Sequence, residues 1–358
     1  MKIGILKEVN DNRVAVVPTT LKKNKAIAKF FVVENGAGLS SGFSDKDYEE
    51  FCTTASRSRI IEDADVLLSI HPISQEEMDK AKKQCIYISL FESFNHPEII
   101  PELERHQLQG FSLDMIPRTT LAQSMDVLSS MASVAGYKAV LAAAHHLDRY
   151  FPMMMTAAGT IRPAKVLVLG AGVAGLQAIA TARKLGAMVE AFDVRKASKE
   201  EVESLGAKFV EVEGAKDDSA AGGYAVEQSE DFIQRQKKEV QDRAIRSDVI
   251  IATAQLRGRK APILVEAATV ESMQSGSVIV DLAASTGGNC ALTKNGEIYN
   301  HNGVVIIGNS NLPADMPKDA STLFSNNAMN FLKLMVDDEG KLNVDLENEI
   351  LKSAKITK

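Results

Sequence analysis

Strand-length apolar runs bounded by polar or glycine-rich turns recur through the first 115 residues: Lys2–Leu6, Phe30–Glu34, Asp65–Ile70, Cys85–Leu90 and Gly110–Met115. Segments of helical periodicity separate them, and this alternation predicts a parallel sheet with helices on both faces. The pattern then changes. Over Ser124–Leu147, SMDVLSSMASVAGYKAVLAAAHHL, apolar residues recur at steps of three and four with no proline. That predicts one helix of about 36 Å, long enough to bridge two domains. A second series follows, with strands expected at Lys165–Leu169, Met188–Phe192, Lys208–Val212, Asp248–Thr253, Val278–Leu282 and Val304–Ile307. Beyond it Lys318–Val336 reads as a helix returning towards the first domain, and the tail from Asp337 is polar.

The sharpest local signal is Gly170-Ala171-Gly172-Val173-Ala174-Gly175. The strand KVLVL precedes it and the helical stretch LQAIATARKLGA follows. Gly170 suits a tight turn. Gly172 lets the backbone approach a pyrophosphate at a helix N-terminus, where unpaired N–H groups and the helix dipole favour an anion. Gly175 permits close helix–strand packing. The next strand ends at Asp193, where an acid accepts hydrogen bonds from a ribose and repels a 2′-phosphate. Asp193 therefore favours NAD over NADP, although the neighbouring Arg195 could instead meet the phosphate of NADP. The expected fold is α/β: two Rossmann-like domains with parallel sheets joined by long helices. Residues 1–123 with 315–358 form the first domain and residues 124–314 the second.

A second glycine cluster, Gly36-Ala37-Gly38 to Gly42, also follows a strand, but the acidic FSDKDYEEF comes after it. Acid there would repel a phosphate, so a strand-to-helix turn is expected. Arg118-Thr119-Thr120-Leu121-Ala122-Gln123-Ser124-Met125-Asp126, just before the long helix, has two readings. Ser124 caps the helix and Asp126 complements its dipole, or the segment is a polar patch over the nicotinamide end of a cofactor. Glu213–Glu230 has no apolar period and one aromatic, Tyr224, after Gly222-Gly223. A long loop of this kind suits a lid, or a loop whose ring pins its base. His145 and His146 are adjacent on the helix and cannot share a metal. Met153-Met154-Met155 reads as adaptable packing.

Composition narrows the function. Lys+Arg number 41 against 47 Asp+Glu, for a net charge of −6 with no basic block, which argues against nucleic acid as a partner. Three distant cysteines make neither a disulfide framework nor a zinc site. No signal-peptide pattern opens the chain and no 18 consecutive apolar residues occur, so a membrane span is not expected.

The stretches PRTTLAQSMDVLSSMASVAGYKAV, FPMMMTAAGT, GAGVAGLQAIATARKLGA, AGGYA and IVDLAASTGGNC closely resemble the NAD(H)-binding component, domain I of the alpha subunit, of proton-translocating nicotinamide nucleotide transhydrogenases. That group is related to alanine dehydrogenase. The resemblance runs from KIGILKE to about Phe331. It implies a homodimer and NAD(H) in the second domain. It also implies hydride transfer to NADP(H) on a partner domain, and a separate membrane-spanning proton-channel domain with this chain peripheral on the cytoplasmic side. By position it assigns Arg118, Thr119, Thr120, Gln123, Ser124, Met125, Asp126 and Ser129 to the nicotinamide loop, with Arg118, Gln123 and Asp126 nearest the chemistry. Gly170, Ala171, Gly172, Val173 and Gly175 match the pyrophosphate turn, and Asp193, Val194 and Arg195 the adenosine contacts. Gly223 and Tyr224 match a mobile loop, Gln236 a further contact, and Gln255 a position by the adenine or ribose that is usually Leu. Thr119-Thr120-Leu121 replaces a stretch that is often Ile-Ser-Arg.

In the related alanine dehydrogenases a Lys falls on His71, a His on Ser89 and an Asp on Ser285. Their replacement leaves no evident base for proton transfer from an amino acid. Hydride passing between two nicotinamides needs none; it needs proximity and alignment. An amino-acid dehydrogenase with altered groups and a non-catalytic NAD-sensing module are the alternatives.

Overall fold

The computed structural model describes residues 1–212, 230–255 and 257–358, with the backbone alone for 230–233. Gly223 and Tyr224, and with them the expected lid, lie outside the described residues. The chain divides into two compact units, Met1–Met131 with Pro313–Lys358, and Ala132–Leu312. The first division falls inside the long helix Val127–His146 rather than at its start. Val127 and Met131 are buried in the first unit, where the Arg13 guanidinium lies 3.2 Å from the Met131 sulfur.

The first unit contains β1 (Ile3–Ile5), β2 (Phe31–Glu34), β3 (Thr53–Ala55), β4 (Val66–Leu68), β5 (Ile86–Ser89) and β6 (Gln109–Ser112). Their order is β3-β2-β1-β4-β5-β6 and every pairing is parallel. β1, β4 and β5 are buried along their whole length, as expected for strands covered on both faces. β3 has no counterpart among the expected strands because it is a three-residue, partly exposed edge strand with no apolar run. Helix Pro317–Leu332 packs through Phe324, Ala328 and Phe331, and its Ser321 and Ser325 hydroxyls accept the N–H groups of Val14 and Val17. The polar tail is ordered into helix Glu349–Ala354, capped by Asn348. Beyond that helix, Ile356 N–H donates to the Gly110 carbonyl, covering the edge of β6.

The second unit opens with a hairpin, β7 (Met154–Thr156) and β8 (Gly159–Ile161). Met153 and Met155 are more than half exposed, so the three methionines do not fill a core as their run suggests. The main sheet comprises β9 (Lys165–Leu169), β10 (Met188–Phe192), β11 (Lys208–Phe209), β12 (Val249–Ala252), β13 (Val278–Asp281), β14 (Ile298–His301) and β15 (Val304–Ile307). Its order is β11-β10-β9-β12-β13-β15-β14, parallel except for β14. The expected strand Lys208–Val212 shrinks to two residues at this edge. Helix Val127–His146 is long and apolar enough, by composition, to cross a membrane. Its Ala135, Ala139, Val140 and Ala143 are core residues of this second unit.

Candidate dinucleotide site

β9 ends at Leu169, and the chain turns at Gly170 with φ at +99°. A side chain there would be strained, and its Cβ would stand 2.6 Å from the Thr253 hydroxyl. Helix Val173–Lys184 starts at once, with Gly172 extended at its N-cap. A Cβ on Gly172 would meet nothing within 4 Å, so this point of backbone is open to approach. A Cβ on Gly175 would overlap the Gly170 carbonyl, so the helix lies directly on the turn. The long helix presses from another side, for a Cβ on its Gly136 would overlap the Ala174 carbonyl. The first N–H groups of a helix have no intrahelical partner, and here they open on uncrowded space.

The turn is fastened to its neighbours. Thr253, just after β12, donates its hydroxyl to the Leu169 and Gly170 carbonyls at 3.2 and 3.1 Å. Asp193, at the end of β10, accepts the Ala171 N–H at 2.7 Å. Arg195 donates to the same carboxylate from its backbone N–H at 2.8 Å and from Nε and Nη2, each at 3.0 Å. Val194 between them is exposed.

A second tier of buried polar groups holds the loops behind. Asp281 accepts the N–H groups of Ala283, Asn289 and Cys290 and the Thr293 hydroxyl. Asn289 accepts the Ala254 N–H and donates to the Ala254 and Pro262 carbonyls. It thereby fixes the residue before Gln255, whose exposed amide donates to the Leu282 carbonyl at 2.9 Å. Asp281, Asn289, Thr253 and Gly136 stand outside every motif read from the sequence. The one trace of them there is Gly287-Gly288 before Asn289, two consecutive residues at positive φ that aim an amide inward. Gln236 lies half-buried on helix Glu230–Ile245.

In the first unit, residues 120–125 form a 3-10 turn that leads into the long helix. Asp126 caps that helix, accepting the Ser129 N–H at 2.9 Å and its hydroxyl at 2.6 Å. Ser124 does not have the capping role; its carbonyl accepts from Asn327 and Asn330. Arg118, Thr119, Thr120, Leu121 and Gln123 are exposed and Met125 is buried. No described residue hydrogen-bonds the Arg118 or Gln123 side chain.

Elsewhere in the same unit, the Asp11 carboxylate bonds the Arg13 guanidinium at 2.6 Å and His71 Nε2 at 2.9 Å. Burial would raise the Asp11 carboxyl, but the hydrogen bonds of His71 and Arg13 overcome it and hold the group far below the usual carboxylate range. Ser89 is fully buried and donates to the Ile70 carbonyl. Ser285, in the second unit, is exposed. The 36–42 cluster is a turn closed on itself, for the Gly36 N–H donates to Asp45 at 2.8 Å and the next helix starts with Asp45 and Asp47. Among the described residues no cluster of His, Cys, Asp and Glu could hold a metal ion.

Two family models match in tandem and nearly without a gap: alanine dehydrogenase/PNT, N-terminal domain, over residues 4–135, and its C-terminal domain over residues 139–358. The chain belongs to the alanine dehydrogenase/PNT family. Within the family it is 40% identical to the first portion of the NAD(P) transhydrogenase subunit alpha of Rhodospirillum rubrum, a separate chain there, covering all of this chain and 96% of that one. It is 25% identical to the alanine dehydrogenase of Staphylococcus haemolyticus, over 94% of this chain and 87% of the other. The crystal structure of transhydrogenase from Sinorhizobium meliloti superposes with a TM-score of 0.91 at 40% identity, covering all of this chain and 98% of that one. An L-alanine dehydrogenase structure shares the fold, with a TM-score of 0.77 at 24% identity over 99% of this chain and 91% of that one. Of the two branches named in the family, the transhydrogenase side is the nearer by both measures.

Proposed function

We infer that this chain is the NAD(H)-binding alpha component of a proton-translocating NAD(P) transhydrogenase. The observation that carries the reading is the 170–175 turn. An uncrowded N-cap at Gly172 heads a twelve-residue helix, and the largely buried carboxylate of Asp193 stands at the next strand end. Transhydrogenase relatives at 40% identity support it over the whole length.

The pyrophosphate is assigned to the Gly170, Ala171, Gly172, Val173 and Gly175 backbone, the ribose to Asp193, and the rest of the adenosine to Val194, Arg195 and Gln255. Gln236, Gly223 and Tyr224 are assigned as further contacts. Arg118, Thr119, Thr120, Gln123, Ser124, Met125, Asp126 and Ser129 take the nicotinamide end. The bound cofactor supplies a hydride, which passes to NADP+ on a partner domain. The protein contributes position: Asp126 fixes the loop by capping the long helix, and the exposed Gln123 amide aligns the ring. A membrane-spanning domain couples the transfer to proton movement, with this chain peripheral on the cytoplasmic side and paired as a homodimer. The exposed methionines of the β7–β8 hairpin are apolar surface suited to a second copy.

The alanine-dehydrogenase alternative is disfavoured by the side chains at its acid–base positions. Ser89 is buried against a carbonyl and Ser285 is a hydroxyl rather than a carboxylate. The deciding experiment mixes the full chain with NADH and an NADP+-loaded transhydrogenase partner domain. Hydride transfer is expected in the mixture and not with this chain alone, and no NADH should form from L-alanine and NAD+. NADH formation from L-alanine would establish the dehydrogenase reading, and binding without transfer a sensing module. Gln123→Asn should slow single-turnover transfer by roughly tenfold, about 1.4 kcal/mol, with little change in NADH affinity.

A further inference from the structure

A carboxylate offers about four acceptor positions, and at Asp193 four donors fill them. Two are backbone N–H groups fixed by the fold, Ala171 onto Oδ2 at 2.7 Å and Arg195 onto Oδ1 at 2.8 Å. The other two belong to the Arg195 guanidinium, Nε onto Oδ1 and Nη2 onto Oδ2, each at 3.0 Å. The Asp193 side chain is 7% exposed and that of Arg195 38%, so the guanidinium covers a carboxylate that is otherwise enclosed. The ribose of a dinucleotide presents two neighbouring hydroxyl donors, the same count and nearly the same spacing as the guanidinium fork. The carboxylate cannot accept both pairs. The backbone donors are held by the turn and by β10, so the guanidinium is the group that can leave.

We propose that the Arg195 guanidinium is an internal occupant of the ribose subsite, which the ribose diol must displace, and that it thereby limits both NADH affinity and the preference for NADH over NADPH. The inference rests on the assignment of NAD(H) to the 170–175 turn. Displacement breaks a two-point charged pair before the ribose contact is made, which lowers affinity by the net strength of that pair. While the pair stands, the guanidinium also cancels the negative charge with which Asp193 repels a 2′-phosphate. Removing it should expose that charge, tightening NADH and leaving NADPH no tighter.

The test titrates NADH and NADPH into the full chain and into Arg195→Ala, Arg195→Lys and Asp193→Ala, and follows the Arg195 Nε–H resonance by NMR. Arg195→Ala should bind NADH roughly three- to fivefold more tightly, the range expected for a half-exposed pair. Arg195→Lys, which keeps charge but loses the fork, should fall between it and the wild type. The Nε–H resonance should shift with adenosine and stay in place with 2′,3′-dideoxyadenosine. Weaker NADH binding by Arg195→Ala would make the guanidinium a direct ligand and overturn the proposal. So would equal NMR responses to the two nucleosides. If the wild type does not bind NADH, or Asp193→Ala binds it unchanged, the site assignment itself falls and the proposal with it.

Discussion

The two units carry sheets with the same inner order, β2-β1-β4-β5 in the first and β10-β9-β12-β13 in the second. In each, the order reverses beside the first strand, the place where open α/β sheets take ligands beyond their strand ends. The two switch points are filled differently. In the second unit β9 runs into glycine, and the neutral hydroxyl of Thr253 ties the turn to the next strand. In the first unit β1 runs into Leu6-Lys7-Glu8 without a glycine. The buried Glu8 carboxylate reaches across to accept the N–H groups of Ile70 and His71 just beyond β4, at 2.6 and 3.0 Å. Burial raises the Glu8 carboxyl and those backbone donors pull it back. A crevice bridged by an acid offers nothing to a pyrophosphate. One topology thus gives one nucleotide turn and one internally closed joint, and the residue after the strand decides which.

The strongest way to break this comparison is to open the closed joint. Asp11 and Arg13 are 1% and 4% exposed in their side chains. Asp11→Ala removes the carboxylate from a buried guanidinium and should cost about 3–5 kcal/mol, read as a lowered melting temperature. NADH affinity should change by less than about twofold, because the second unit keeps its own fastenings. A collapse of NADH binding at temperatures where the variant is folded would mean the two crevices are one functional site. The same pair sets an acid limit. The Asp11 carboxyl is depressed in the folded chain, and the unfolded chain takes up its proton near pH 4. Its contribution is therefore complete above about pH 5 and drains away as pH falls below that. Acid unfolding of Asp11→Asn should lack that component.

The next effect sharpens the open side. Gly136 lets the long helix touch the Ala174 carbonyl in the first turn of the nucleotide helix. A methyl group there must push backbone, not a flexible side chain, so Gly136→Ala should destabilise by about 1–3 kcal/mol. The displaced turn should also weaken NADH, by roughly tenfold if its N–H groups lose a little over 1 kcal/mol of contact. Calorimetry on the folded variant separates the two. Lost stability with intact affinity would make Gly136 a packing residue alone.

Much of this is legible in the chain, and the losses have particular causes. β9, the glycine turn and its helix announce themselves because three glycines, an apolar strand and an amphipathic helix agree. β14 carries no apolar run, since its residues alternate between exposed and half-buried. Its signal is the turn: Asn302-Gly303, both at positive φ, is the pair that joins antiparallel strands by a two-residue hairpin. The exposed methionines of β7 mislead because apolar character alone does not mean burial. Ser124 and Asp126 are both good caps, and local sequence does not say which hydroxyl or carboxylate meets the free N–H. Spacing offers Arg195 as an alternative phosphate ligand, but its hold on Asp193 depends on side-chain geometry that no spacing rule contains. Asp281 and Asn289 act across loops 8 to 35 residues apart, beyond any local pattern.

The smallest expected effect tests whether acid alone separates the two glycine turns. Gly36 donates to Asp45 much as Ala171 donates to Asp193, at 2.8 and 2.7 Å. What differs is the continuation. Leu39–Ser41 is a single 3-10 turn, and the helix after it is five residues long with Asp45 and Asp47 in its first turn. Helix Val173–Lys184 runs for twelve residues and has no acid in its first turn. Asp45→Ala should therefore lose one charge-assisted hydrogen bond, about 1–2 kcal/mol of stability at most. It should create no second nucleotide site, since no long helix dipole converges there and Asp47 remains. Equilibrium binding should still give one NADH per chain with unchanged affinity. A second site in Asp45→Ala would show that a carboxylate, rather than the missing helix, is what keeps the first turn empty.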